Sequence, residues 1–229
     1  MVATARQPDF VRRPATYEEL LALPENVVGE IVDGELHASA RPAQPHAACS
    51  SGIAALLLAP FHFGRGEGGE AGPGGWWILF EPELHFWRER GGERQVEALV
   101  PDFAGWRRER LPRLAEGAAF TLAPDWVCEI VSPSTAAFDR VKKLSVYARE
   151  GVAHAWIVDP LGRSLEVFRL FEGHWLLVAS FLGKETVRVE PFEAAALDLS
   201  LLWLPEEPPA VPPAEPPAEP PLAPEAEPR

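Results

Sequence analysis

The order of patterns along the chain predicts a mixed α/β (α+β) domain, a central mixed sheet flanked by helices and completed by antiparallel hairpins. Three observations carry that prediction. Two alternating runs flank Asp33-Gly34 in "VVGEIVDGELHA", the strongest short-range hairpin signal. A mostly apolar stretch with helical spacing follows, "HAACSSGIAALLLAPF", which needs a sheet to lie on. Later, two short apolar runs, "DWVCEIV" and "HAWIVDP", bracket a helical pattern, the order of strand, helix, strand.

The elements can be justified in order. Thr16-Tyr-Glu-Glu19 has capping-box spacing and opens a short helix through "YEELLAL", stopped at Pro24. The Asp33-Gly34 hairpin and the long apolar helix come next. "GRGEGGEAGPGG" (64–75) lacks the Lys-Ser/Thr of a phosphate-binding loop and reads as a flexible connection. "WWILFE", "ELHFW" and "ALVPDFAGW" read as strands, followed by the arginine-rich stretch "RRERLPR" and the buried strand "DWVCEIV". Residues 138–150 read as a helix with an apolar stripe of Phe138, Val141, Leu144 and Ala148, stopped by Gly151. "SLEVFRLF", "HWLLVASF" and "TVRVE" then look like antiparallel strands, with turns at Leu161-Gly162 and Glu172-Gly173.

Composition divides the 229 residues into one domain, 1–204, and a tail, 205–229, made almost entirely of Pro, Glu and Ala. The tail has no apolar periodicity and reads as extended and disordered. Six Glu and one Arg give it −5 of the net −13, leaving −8 on the domain. That balance excludes the broad basic face of many nucleic-acid binders, so any such function rests on local charge or on metal ions. Two cysteines, Cys49 and Cys128, both at positions that read as buried, and an N-terminus without an apolar signal core point to the cytoplasm. No 18-residue apolar run exists, so no membrane span is expected.

The chemistry begins with Glu129, a carboxylate inside an apolar strand, where burial costs several kcal/mol unless something pairs with it. Asp102, after Pro101, is a second acid at a strand start. If the two strands are neighbours, their carboxylates lie roughly 4–7 Å apart in one cleft and repel unless a cation sits between them. Hard oxygen ligands around a partly hydrated divalent ion describe Mg²⁺ or Mn²⁺, which activates water and neutralises charge on a phosphodiester. The purely structural alternative pairs Glu129 with Arg140 or Arg107. Asp102 would then be a turn residue, and Lys143 a solvated helix lysine paired with Asp139.

"PDF" (101–103) and "PDWVCEIVSPSTAAFDRVKKLSVYAREGVAHAWIVDP" (124–160), with "TYEELLALPENVVGEIVDGEL" near the start, closely resemble the Uma-two family of restriction-endonuclease-like proteins. That family is placed in the PD-(D/E)XK nuclease superfamily. The resemblance runs to about Leu204 and leaves the tail outside. It implies a restriction-endonuclease-like core and a catalytic Asp followed by Glu-X-Lys on the next strand. Asp102 and Glu129 match; the lysine position holds Val131. Lys143, on the following helix where the family string carries a lysine, is the substitute. Glu30 and His46 match an early glutamate and histidine of the family.

The expectation is a Mg²⁺- or Mn²⁺-dependent endonuclease acting on DNA. Asp102, Glu129 and the Ile130 carbonyl hold the metal, and Lys143, Glu30 and His46 complete the catalytic set. The missing strand lysine supports a non-cutting binding or assembly protein as the alternative, and the acidic balance a hydrolase of small phosphodiesters or nucleotides. A homodimer is expected from the terminal hairpins and their aromatics. Ser132 and Ser134 lack the Gly-X-Ser-X-Gly elbow of a serine nucleophile; Ser134 or Thr135 is expected to cap the next helix. The arginines at 107–113 are the local candidates for phosphate contact.

Overall fold

The computed structural model describes residues 13–40, 42–65 and 72–205. The expected tail after Pro205 and the centre of the glycine-rich loop lie outside them. Thr16 caps α1 (Tyr17–Leu21) with both bonds of the capping box to Glu19. β1 (Val27–Val32) and β2 (Glu35–Ala40) pair antiparallel around Asp33 and Gly34, whose φ values of 54° and 79° are those a tight hairpin turn demands. α2 (Gln44–Leu57) continues into a π-helical turn, Leu58–His62.

The strands that follow are β3 (Trp76–Phe80), β4 (Glu83–Arg90), β5 (Glu93–Leu99), β6 (Phe103–Arg107), β7 (Ala119–Phe120) and β8 (Trp126–Ile130). A helical segment joins β8 to β9 (His154–Asp159): α3 (Ala136–Phe138), a π-helical turn over Asp139–Lys143, and α4 (Leu144–Arg149). β10 (Ser164–Phe171), β11 (His174–Leu182), and the short β12 (Thr186–Val187) and β13 (Leu197–Asp198) complete the chain before a 3₁₀ turn at Leu199–Leu202.

The strands divide into two main sheets where one central sheet was expected. One has the order β2-β1-β5-β4-β7 and the other β11-β10-β9-β8-β6-β3, and β12 pairs with β13 alone. Both larger sheets are mixed, through the parallel pairs β8–β9 and β4–β7. Only Val100-Pro101-Asp102 separates β5 of the first sheet from β6 of the second.

The six-stranded sheet is covered on both faces. Trp76, Ile78, Phe103, Trp126, Cys128, Ile130 and Trp156 pack with Cys49, Ile53 and Leu57 of α2 and with Phe192. On the other face Ala104, Trp106, Val127, Val131 and Ile157 meet Leu84, Phe86 and Leu99 of the five-stranded sheet and Val146 and Tyr147 of α4. β8 is therefore buried at all five positions, which is why it reads as a continuous apolar run rather than an alternating one.

Candidate active site at the junction of the two sheets

Glu129 faces the α4 side of β8 and is 2 % exposed. Its Oε1 accepts a 2.6 Å hydrogen bond from the Tyr147 hydroxyl, and its Oε2 a 2.9 Å bond from Lys143 Nζ. Lys143, itself 3 % exposed, also lies 3.0 Å from Glu30 Oε1 and 3.9 Å from Asp139, and donates to the Val100 carbonyl at 3.1 Å. Glu30 accepts from the Val100 amide at 2.8 Å. Neither arginine proposed for Glu129 is its partner. Arg140 pairs with Glu166 at 2.7 Å, and Arg107 lies over the Trp76 ring.

Asp102 ends the three-residue link between the sheets. Phe103 pairs with Cys128, so the register carried one step further sets Asp102 opposite Glu129 on the same side of the sheet. Asp102 Oδ2 accepts from the Ile130 amide at 2.6 Å, and Oδ1 lies 2.9 Å from His46 Nε2 at the start of α2. Elements of both sheets and two helices thus bring Glu30, His46, Asp102, Glu129, Asp139 and Lys143 to one cleft of about 610 Å³.

Burial pushes the Glu129 carboxyl up, with Asp139, Asp102 and Glu30 adding to it and Lys143 opposing. Burial also pushes Asp139 up, to about 6, against Lys143 and a hydrogen bond from Thr135. Burial alone would drive the Lys143 ammonium down, but Glu129, Glu30 and Asp139 outweigh it and hold the amine charged, above its usual range. Burial is the largest cause of that rise, and the Lys143 ammonium on its Oε2 is what opposes it. Burial likewise opposes protonation of His46, and the bond to Asp102 reverses the sign.

The helix after β8 departs from the expected stripe. Val141 is 67 % exposed, whereas Asp139, Lys143 and Tyr147, spaced four apart, face inward with Leu144 and Val146. A buried ammonium left without carboxylates would cost more than exposing one valine, so the ion cluster decides which face turns in. Lys143 is therefore no solvated surface lysine. Thr135 precedes α3 in a helical conformation and makes no side-chain cap bond to its amides; it accepts from Ser132 N at 3.1 Å instead.

The arginine stretch is also relocated. Asp102 precedes β6 and Arg107 ends it, so they lie roughly 17 Å apart at the rise of an extended strand. Arg108 stacks on Trp77 and bonds the His62 and Trp76 carbonyls, and Arg110 pairs with Asp125 at 2.8 Å. These guanidiniums brace loops at the far end of the sheet.

Sequence reasoning missed Tyr147, the inward role of Asp139, and the Val100 peptide. The four-residue spacing of Asp139, Lys143 and Tyr147 was the available signal, since it sets all three on one helix face. Among the described residues, no group of three or more His, Cys, Asp or Glu side chains is arranged as a ready metal cage, and no helix is long and apolar enough to cross a membrane.

Comparison with known proteins agrees with this architecture. A solved structure described as "a putative nuclease belonging to DUF820 from Anabaena variabilis ATCC 29413" superposes with a TM-score of 0.62 at 24 % identity, covering 82 % of this chain and 97 % of that one. Among curated proteins no sequence matches. The family model described as "Putative restriction endonuclease" (Uma2) matches residues 14–201, nearly the whole of the described chain. The chain belongs to that family.

Proposed function

We propose that this protein is a metal-dependent endonuclease that hydrolyses phosphodiester bonds in DNA. The observation that carries the reading is the charge balance of the junction cleft. Five carboxylates, Glu30, Glu81, Asp102, Glu129 and Asp139, share it with one lysine and one histidine. The surplus of hard oxygen donors fits a divalent ion such as Mg²⁺ or Mn²⁺. Asp102, Glu129 and the Ile130 carbonyl are the residues that would hold it, and when bound it supplies an activated water and charge neutralisation at the phosphorus.

The chain's own groups do the rest. Tyr147 and Lys143 fix the rotamer of Glu129, and His46 with the Ile130 amide fixes that of Asp102. Lys143 also brings a permanent positive charge to the cleft, where it opposes the charge that develops on the phosphoryl oxygens as water attacks. Glu30, from the five-stranded sheet, and the Val100 carbonyl, from the link between the sheets, hold that ammonium in place. The lysine thus stands on the helix instead of at Val131, from which an apolar side chain enters the core.

The test is plasmid nicking with Mg²⁺ or Mn²⁺ by the wild type and by Asp102→Ala and Glu129→Ala. Loss of at least about 100-fold in each variant is expected, and nicking that survives both substitutions would overturn the assignment. The engagement of both Glu129 oxygens by protein donors favours a second reading, a nuclease-fold protein that binds without cutting. Absence of Mn²⁺ binding by calorimetry at millimolar metal would select it.

A further inference from the structure

The edges of the two main sheets are not treated alike. β3, one edge of the six-stranded sheet, has its Ile78 amide bonded to His62 Nδ1 at 3.0 Å. In the five-stranded sheet β7 is only two residues long, and β2 carries Glu35 and packs His37 on the Phe138 ring. Short length, charge and a covering side chain are the usual ways to keep an edge from pairing. β11, the other edge of the six-stranded sheet, has none of the three. It is nine residues long, apolar except for His174 and Ser180, without Asp, Glu, Lys, Arg or Pro, and not one of the nine is buried. Leu176, Leu177 and Leu182 are 48, 50 and 69 % exposed. Among the described residues, its outer side pairs with no strand.

β11 is complementary to itself. Its register on β10 shifts between Leu177 and Ala179, leaving Val178 as a bulge. Leu177 and Ser180 pair with Phe168 and Glu166, on the side where Glu166 meets Arg140 and Phe168 packs toward α4. Leu176 and Phe181 pair with Arg169 and Leu165, on the side of α2 and Phe192. A two-fold axis through the sheet between Val178 and Ala179 sets Leu176 opposite Phe181 of a second copy and Leu177 opposite its Ser180. Each pair then lies on one face, as antiparallel pairing requires. Trp175 falls opposite Leu182. The extra residue separates Leu177 from Ser180 by three positions on one face, a spacing that a regular strand cannot match. A second copy in this register has the same spacing opposite it. Residues 205–229 cannot take its place, since Pro recurs too often there to supply a run of N–H donors.

We propose that β11 is a dimer interface, pairing antiparallel with β11 of a second copy and joining the two six-stranded sheets into one. The strand brings no acid to the contact, in a chain of net charge −13. The backbone groups along the edge supply hydrogen bonds, and the exposed leucines supply apolar area. The arrangement also fixes where the two clefts stand. β11 runs parallel to β8, by way of β9 and β10. The two-fold therefore sets the β8 strands of the two copies in opposite directions, and the junction clefts open at opposite ends of the joined sheet. Each copy carries a complete cleft, and neither lends a residue to the other.

The test is the mass of the full chain in solution, by sedimentation equilibrium at micromolar concentration, where a dimer is expected. Leu177→Lys and Ser180→Lys replace exposed residues and should leave the circular dichroism unchanged. Each should weaken association about tenfold or more, since a charge on the edge must be desolvated and, at Leu177, apolar burial is lost. The register has its own readout. The double variant Leu177→Cys/Ser180→Cys, treated with oxidised glutathione, should give a covalent dimer. Within one chain these positions lie roughly 10 Å apart along the strand, beyond disulfide reach. Either single variant should stay uncoupled, as should the wild type, whose Cys49 and Cys128 are buried. A monomer at these concentrations, or association unchanged in both lysine variants, would overturn the interface. Coupling through a single cysteine, or none in the double variant, would overturn the two-fold register on which it stands.

Discussion

The Tyr147 hydroxyl donates to Glu129 Oε1 across 2.6 Å, with both residues in the interior. Tyr147→Phe keeps the ring's packing and removes only this donor. Stability should fall by about 1–3 kcal/mol, as for an orphaned buried acceptor. Nicking should slow about 3- to 30-fold with little change in apparent DNA affinity, because a freer Glu129 is positioned less well. Urea unfolding together with single-turnover nicking checks both expectations; a full loss of DNA binding would contradict the positioning role.

Lys143 balances Glu129, Glu30 and Asp139 in a site that water barely reaches. Lys143→Met should cost about 3–5 kcal/mol, the penalty for leaving buried charge uncompensated. Adding Glu129→Gln to it should restore part of that loss. A double-mutant cycle in denaturant would measure the coupling, and strict additivity of the two single effects would refute it.

Asp139 gives a pH dependence with a definite sign. Its folded pKa of about 6 lies above the ordinary 3.8, so between those values the folded chain binds more protons than the unfolded one. Stability contributed by this group is present below the unfolded value and is lost as pH rises through the folded one. At roughly 1.4 kcal/mol per pKa unit the loss is on the order of 3 kcal/mol. Asp139→Asn should therefore unfold at higher urea than wild type at about pH 8 and differ little at about pH 4, in EDTA to exclude bound metal.

Arg108 should behave as a brace rather than as a phosphate contact. It bonds the His62 carbonyl at 2.6 Å and the Trp76 carbonyl at 3.1 Å while stacking on Trp77. Arg108→Ala is expected to lower stability by about 2–3 kcal/mol, from lost charge-assisted bonds and stacking. Nicking per folded molecule, and its dependence on salt, should be unchanged. A shallower salt dependence in this variant would return the arginine to the nucleic-acid surface.

Local features were legible in the sequence because their causes are local. The capping box at Thr16, the Asp33-Gly34 turn and the turn at Glu172-Gly173 formed where the residues demanded them. The pairing of Asp102 with Glu129 was readable as two acids in successive strands, and Glu30 and His46 as members of a longer pattern. The division into two sheets was not readable, because Val100-Pro101 carries no local sign that the chain leaves one sheet for another. The face of the helix was misjudged at Val141 because periodicity counts apolar residues, whereas here a lysine and a tyrosine answer a carboxylate on the neighbouring strand. The position of the arginines relative to Asp102 depends on the direction of β6, which residue chemistry alone does not specify.

The peptide of Val100 has a consequence for how the cleft can fail. Its amide holds Glu30 and its carbonyl holds Lys143, while Asp102 follows two residues later. One short tether thus carries a connection to each acid-bearing partner, and no single layer of the protein contains the complete set. A fluctuation that parts the layers without unfolding either would scatter the carboxylates while leaving most secondary structure intact. Heat or denaturant should then silence the protein before circular dichroism registers a change, and catalytic output becomes a gauge of how firmly the two halves hold together.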